Sequence, residues 1–170
     1  RLAPGQEPFA IFVATGEPGV GDLFAVRADG GTTFPITYTR VREMAPALSP
    51  LGTDVAFIRE AVRDDPSTRR VVVMNLLNGG ERIIPVVGTP PDAVAWSDDA
   101  ASLFIRAGDA TLAAAAPPAA PDTRALDATN AYRADSAFAV FVGTPAFARV
   151  IDCPEGGVCV EQPDGARSLF

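Results

Sequence analysis

The sequence predicts an all-β fold built from repeated antiparallel units, and three observations carry that prediction. Short runs rich in β-branched and aromatic residues, such as FAIFVA at 9–14 and RVVVMNL at 70–76, fit buried strands. Sixteen Pro and fifteen Gly are spread along the 170 residues, as many short strands joined by turns require. Landmarks also recur at nearly one spacing: Gly30-Gly31 and Gly79-Gly80, Ser49 and Ser97, and Phe57 and Phe104 lie 47 to 49 residues apart. A period of about 40 to 50 residues is the mark of a propeller blade or a similar repeat unit.

Taken in order, Phe9 to Ala14 is a continuous apolar strand, and Asp22 to Arg27 returns antiparallel to it. Ala28-Asp29-Gly30-Gly31 supplies a turn with glycines where positive φ is needed. Thr33 to Thr39 reads as the next strand, and Glu43 to Ala47 as the crossing to a new unit. Pro46 to Gly52 leads into a turn, and Val55 to Arg59 is a strand. A polar hairpin connection, Arg63 to Ser67, precedes Arg70 to Leu76, and Arg82 to Val87 returns after the Asn78-Gly79-Gly80 turn. Ala93 to Trp96, a turn at Asp98-Asp99-Ala100, Ser102 to Arg106 and Ala110 to Ala116 make a third unit. That last strand dissolves into Pro117-Pro118-Ala119-Ala120-Pro121, where three prolines in five residues oppose a helix. A fourth unit holds Ala137 to Val142, a hairpin of Phe147 to Ile151 with Val158 to Glu161, and a last strand from Arg167. One domain over 1–170 is expected, with approximate units 9–40, 46–88, 93–127 and 130–170. It would be a propeller-like array of about four antiparallel blades, either a small four-bladed ring or an open partial propeller.

Composition excludes several functions. A net charge of −7 opposes binding to nucleic acid or electrostatic adhesion to an anionic membrane. The absence of His removes Ser-His-Asp and Cys-His nucleophile systems and imidazole metal sites. No apolar run approaches the roughly 18 residues of a membrane span. The chain begins at Arg1 rather than Met, which leaves room upstream for a signal peptide or a lipid-bearing N-terminus. Cys153 and Cys159 flank a Pro/Gly turn in CPEGGVC, which suits a small disulfide stapling a hairpin outside the cytoplasm. The other reading is two unpaired thiols that are merely near in sequence.

The paired carboxylates Asp64-Asp65 and Asp98-Asp99 sit in predicted turns, where solvation rather than acid–base chemistry is expected. No catalytic, cofactor or metal residues are therefore predicted, and the chain is read as a non-enzyme without cofactors. Trp96 is either an exposed binding centre or a packing residue, and packing is preferred. For contact with a partner, the small, stiff residues Ala115, Ala116, Pro117, Pro118 and Pro121 have the better claim, with a plain loop as the bland alternative.

The repeat landmarks resemble the WD40-like repeats called PD40, found in the periplasmic propeller of the Tol envelope system and in prolyl-oligopeptidase-like enzymes. That pattern combines an Asp-Gly turn, Pro-x-Trp-Ser-Pro-Asp-Gly and an Ile-Ala-Phe strand. Ala28 to Gly31, Pro46 to Gly52 and Val55 to Ile58 match it in the second unit. Ala95 to Asp99 with Leu103 to Ile105 match in the third, and Tyr132 to Ser136 is a degraded copy. The resemblance implies that Ser49 and Ser97 close turns and that Trp96 packs between blades. It also implies an extracytoplasmic module, periplasmic and possible to find at a membrane, that binds other protein subunits. An accessory subunit docked on a larger membrane-protein assembly is the specific form. The alternative is a ligand-binding or regulatory propeller domain of a larger envelope protein or peptidase.

Overall fold

A computed structural model describes residues 4, 8–15, 20–119, 123–125, 149–152, 158–161 and 167–169, with backbone alone for 124–125 and for the last three segments. Among the described residues fourteen strands make four antiparallel sheets, and no α-helix occurs. The first sheet holds β1 (Phe9–Ala14), β2 (Asp22–Arg27) and β3 (Phe34–Pro35). The second holds β4 (Arg42–Leu48), β5 (Asp54–Glu60), β6 (Arg69–Asn75) and β7 (Glu81–Ile84). The third holds β8 (Ala93–Trp96), β9 (Ser102–Ala107), β10 (Ala110–Ala115) and β11 (Arg124–Ala125). The fourth holds β12 (Arg149–Asp152), β13 (Val158–Glu161) and β14 (Arg167–Leu169).

Within each sheet the strands pair in chain order, so each is a meander. The first strands of the sheets lie beside one another: β4 touches both β1 and β8, and β1 also approaches β12. Shared inner strands and outward meanders are the plan of propeller blades. Among the described residues the four sheets do not close into a ring.

Alternation along β5 explains the layering. Val55 and Phe57 face the first sheet, where they form a core with Leu23, Val72 and Met74. Ala56 and Ile58 face the third sheet and join Ala47, Val71, Val73, Ile84, Trp96, Leu103 and Ile105. Because side chains alternate at period two, a strand buried on both faces reads as an unbroken apolar run. Burying each such Val, Ile or Phe contributes about 1.5–3 kcal/mol.

Two local expectations are corrected. Residues 33–39 give only the two-residue β3, since Pro35 cannot donate to a ladder and beyond it Ile36 and Thr37 N–H converge on one carbonyl, that of Leu23, instead of continuing a register. Residues 43–47 are not a crossing but most of β4, the inner strand of the second sheet. Pro46 is accommodated by a register shift between Met44 and Ala47, with Ala45 at φ 50°. The stretch 137–142, read above as a strand, lies outside the described residues.

Candidate interaction surface

The turn residues act locally. Ser49 N–H donates to the Asp54 carbonyl at 2.8 Å, and Gly52 N–H to the Ser49 carbonyl at 2.8 Å. Ser97, Ser102 and Ala100 repeat both bonds at 2.9 Å in the third sheet. The Ser49 hydroxyl accepts from Leu51 N–H at 3.2 Å, and that of Ser97 accepts from Ser102 N–H at 2.9 Å. The two serines thus close equivalent turns. Gly52 (φ 69°) and Ala100 (φ 57°) occupy the same left-handed position in them.

The carboxylate pairs serve turns as well. Asp65 accepts from the Ser67 backbone at 3.1 Å and its hydroxyl at 2.6 Å, capping a short 3-10 turn at Pro66–Thr68. Asp64 is exposed beside Arg63 at 3.4 Å. Asp99 accepts from the Ser97 hydroxyl at 2.6 Å and Ala101 N–H at 3.0 Å. Trp96 is 8% exposed, and its indole N–H donates to the Ala47 carbonyl at 2.8 Å, joining the third sheet to the second.

The Ala/Pro segment divides into parts. Ala115 is half-buried at the end of β10, while Pro118 is exposed. Ala116 is a core residue and not a surface one, because its methyl is buried in the apolar cluster between the second and third sheets. The segment also reaches back to the second sheet. Arg82 donates to the Pro118 carbonyl at 3.1 Å, and the Thr123 hydroxyl to the Pro85 carbonyl at 2.6 Å. Pro117 and Pro118 therefore sit on a strap spanning two sheets. Pro121 and Cys153 lie outside the described residues, and Cys159 has only its β13 backbone described.

A polar network not foreseen from the sequence joins the first two sheets. Glu43, fully buried, is the cross-strand partner of Arg59. Arg59 Nη2 lies 2.7 Å from it, and the same guanidinium holds Glu81 through two bonds of 2.7 and 2.8 Å. The guanidinium also stacks 5.2 Å above Phe57. On its other side Glu43 accepts from the Thr37 hydroxyl, which itself accepts from Leu23 N–H at 2.8 Å. Hydrogen bonding to Arg59 holds the Glu81 carboxyl below its usual range, and the carboxylates, Glu81 foremost, raise Arg59. A second buried carboxylate, Glu60, is satisfied by Arg69 at 2.8 Å and by Asp64 N–H at 3.1 Å. Among the described residues no buried side-chain nitrogen or oxygen lacks a partner. A Glu in an inward strand position opposite an Arg was the available sequence signal, hidden while β4 was read as a crossing.

Along the boundary of the first two sheets runs a groove of about 310 Å³ lined by Phe9, Phe34, Ile36, Met74 and Leu76. Together these parts make a rigid β platform with pinned turns and shallow grooves. No family model matches the chain, and no curated protein matches it. Among solved structures, TolB from Agrobacterium tumefaciens is similar, with a TM-score of 0.57 and 15% identity over 71% of this chain and 43% of that one. TolB from Acinetobacter baumannii aligns over 98% of this chain and 53% of that one, at 12% identity and a TM-score of 0.49. The chain therefore spans about half the length of these neighbours or less. The first likeness shows the fold: the sheets of this chain are arranged as in the β-propeller of a TolB protein.

Proposed function

We propose that this chain is a non-enzymatic, extracytoplasmic propeller-type module of the PD40 kind that binds other proteins. In its finer form it is an accessory subunit docked on the periplasmic side of a larger membrane-protein assembly. The observation that carries the reading is the stacked antiparallel platform shared with a TolB structure. Rigid β scaffolds with variable loops are commonly used for protein contact. The roles of the polar side chains support it: Asp65, Asp99, Ser49 and Ser97 are engaged in holding turns. The groove between the first two sheets favours a second reading, a ligand-binding or regulatory domain of a larger envelope protein, since small-ligand sites start near 300 Å³.

Gentle detergent extraction of the source membranes, followed by sizing, tests the docked form. Co-migration with a large membrane complex that survives moderate salt is the expected result. Migration as a free chain would contradict it and move attention to a soluble ligand.

A further inference from the structure

From beyond β3 into the start of β4 the chain reads Thr37-Tyr38-Thr39-Arg40-Val41-Arg42-Glu43, and burial alternates along it. The inward residues are held from several directions. Thr37 is fixed by Leu23 N–H and Glu43, and Glu43 by Arg59. Thr39 donates to one Asp22 carboxylate oxygen through its backbone at 2.6 Å and its hydroxyl at 3.2 Å. The outward residues are barely engaged. Tyr38 is 95% exposed, Arg40 is exposed, and Arg42 approaches Glu60 only at 3.8 Å. Among the described residues neither Tyr38 nor Arg40 has a hydrogen bond or ion pair.

A backbone pinned at alternate residues presents its free side chains with little ordering left to do on binding. Tyr and Arg are also the side chains enriched in interface hot spots, and guanidinium groups pair bidentately with carboxylates. Beside the stripe, and sharing Arg42 with it, lies a groove of about 350 Å³ lined also by Val13, Val20, Glu43 and the paired Arg63 and Asp64. On a chain of net charge −7, this cationic stripe is a place where an anionic partner gains attraction against a repulsive background.

We infer that Tyr38, Arg40 and the adjoining groove dock an acidic segment of a partner protein, an inference that rests on the protein-binding reading above. Carboxylates of the segment pair with Arg40 and Arg42, and an apolar residue of it packs on the Tyr38 ring. An anionic bilayer fits less well, because it faces a broad area of a chain with net charge −7, whereas a peptide segment meets the cationic stripe alone.

The probe is a fluorescein-labelled deca-glutamate peptide, titrated with the full chain at low salt and read by anisotropy. Arg40→Glu should weaken binding about 10-fold and Tyr38→Ala several-fold, while Leu51→Ala, in the exposed turn beyond the opposite end of β4, changes nothing. Added salt should weaken binding further. Equal binding by all variants would overturn the inference, as would capture by phosphatidylglycerol vesicles with no affinity for the peptide. Both stripe residues are exposed and unbonded, so circular dichroism should find the variants folded. A photoreactive residue placed at position 38, and separately at 51, in source cells distinguishes the two levels of the account. Protein adducts at 38 that Arg40→Glu abolishes support the stripe. Adducts only at 51 remove the stripe and keep the binding module, and none at either position removes both.

Discussion

The second sheet meets its neighbours through two unlike junctions. Toward the first sheet it presents Val55, Phe57, Val72 and Met74 around Leu23, and beside them the buried Glu43–Arg59 pair, bridged to the neighbouring chain segment by the Thr37 hydroxyl. Toward the third it presents Ala47, Ile58, Val71 and Val73 against Trp96, Leu103 and Ile105, with the Trp96–Ala47 hydrogen bond among them. Glu60 is buried too, yet its close partners Arg69 and Asp64 belong to the second sheet and its own hairpin. A buried ion pair gives back in Coulomb energy roughly what desolvation costs, but losing one partner is severe. An apolar junction gains in proportion to area and tolerates substitution gradually. The difference teaches that one sheet can pack against both neighbours and yet add a buried ion-pair network to only one of them.

The most damaging change should be Glu43→Ala, which removes a fully buried carboxylate and leaves the Thr37 hydroxyl without its acceptor and Arg59 with Glu81 alone of its two carboxylates. A loss of about 3–5 kcal/mol is expected in urea unfolding. On the apolar side, Trp96→Ala should cost a comparable 3–5 kcal/mol or so through lost packing, whereas Trp96→Phe should cost nearer 1–3 kcal/mol, largely from the orphaned Ala47 carbonyl. If Trp96→Phe proved as severe as Glu43→Ala, the contrast between the junctions would collapse.

Acid should act on one junction. Arg59 holds the Glu81 carboxyl below its ordinary value of 4.5, so the unfolded chain binds more protons than the folded one in the carboxylate range. This contribution is full above about pH 4.5 and is lost as pH falls through the lower folded value. Unfolding midpoints between pH 7 and pH 3 should fall less steeply in Glu81→Gln than in the parent chain. An identical slope in both would remove Glu81 from the account.

The smallest effect concerns the paired turns. Ala100 holds a left-handed conformation that costs a non-glycine residue about 1–2 kcal/mol. Ala100→Gly should therefore stabilise by up to about 1 kcal/mol after the added chain entropy, and Gly52→Ala should destabilise by a similar amount. Opposite signs in thermal melts check the equivalence of the two turns.

Much of the fold was legible because strands buried on both faces write themselves as apolar runs. The bounds read for Phe9 to Ala14, Asp22 to Arg27 and Ala93 to Trp96 coincide with β1, β2 and β8. The inner strand β4 was not legible, since Pro46 argues against a strand unless a bulge absorbs it, and a bulge depends on the partner. The Glu43 network was hidden for the same reason. Thr37, Arg59 and Glu81 stand 6, 16 and 22 residues from their partners and meet only once β4 is laid against β5 and β5 is joined through β6 to β7. Ala116 misled because small apolar residues beside prolines read alike whether a neighbouring sheet covers them or not. The exposed stripe at Tyr38 is visible only after the inward threonines are seen to be bonded.

The two junctions carry their own reporters. The Leu23 amide donates to Thr37 in the polar junction, and the Trp96 indole N–H donates to Ala47 in the apolar one. Hydrogen exchange of both protons by NMR, in the parent chain and in Glu43→Gln, tests the account most directly. Exchange at Leu23 should accelerate at least about tenfold, the equivalent of 1.4 kcal/mol or so, while the Trp96 indole stays protected. Equal acceleration at both, or none at Leu23, would contradict a sheet held by two independent kinds of junction.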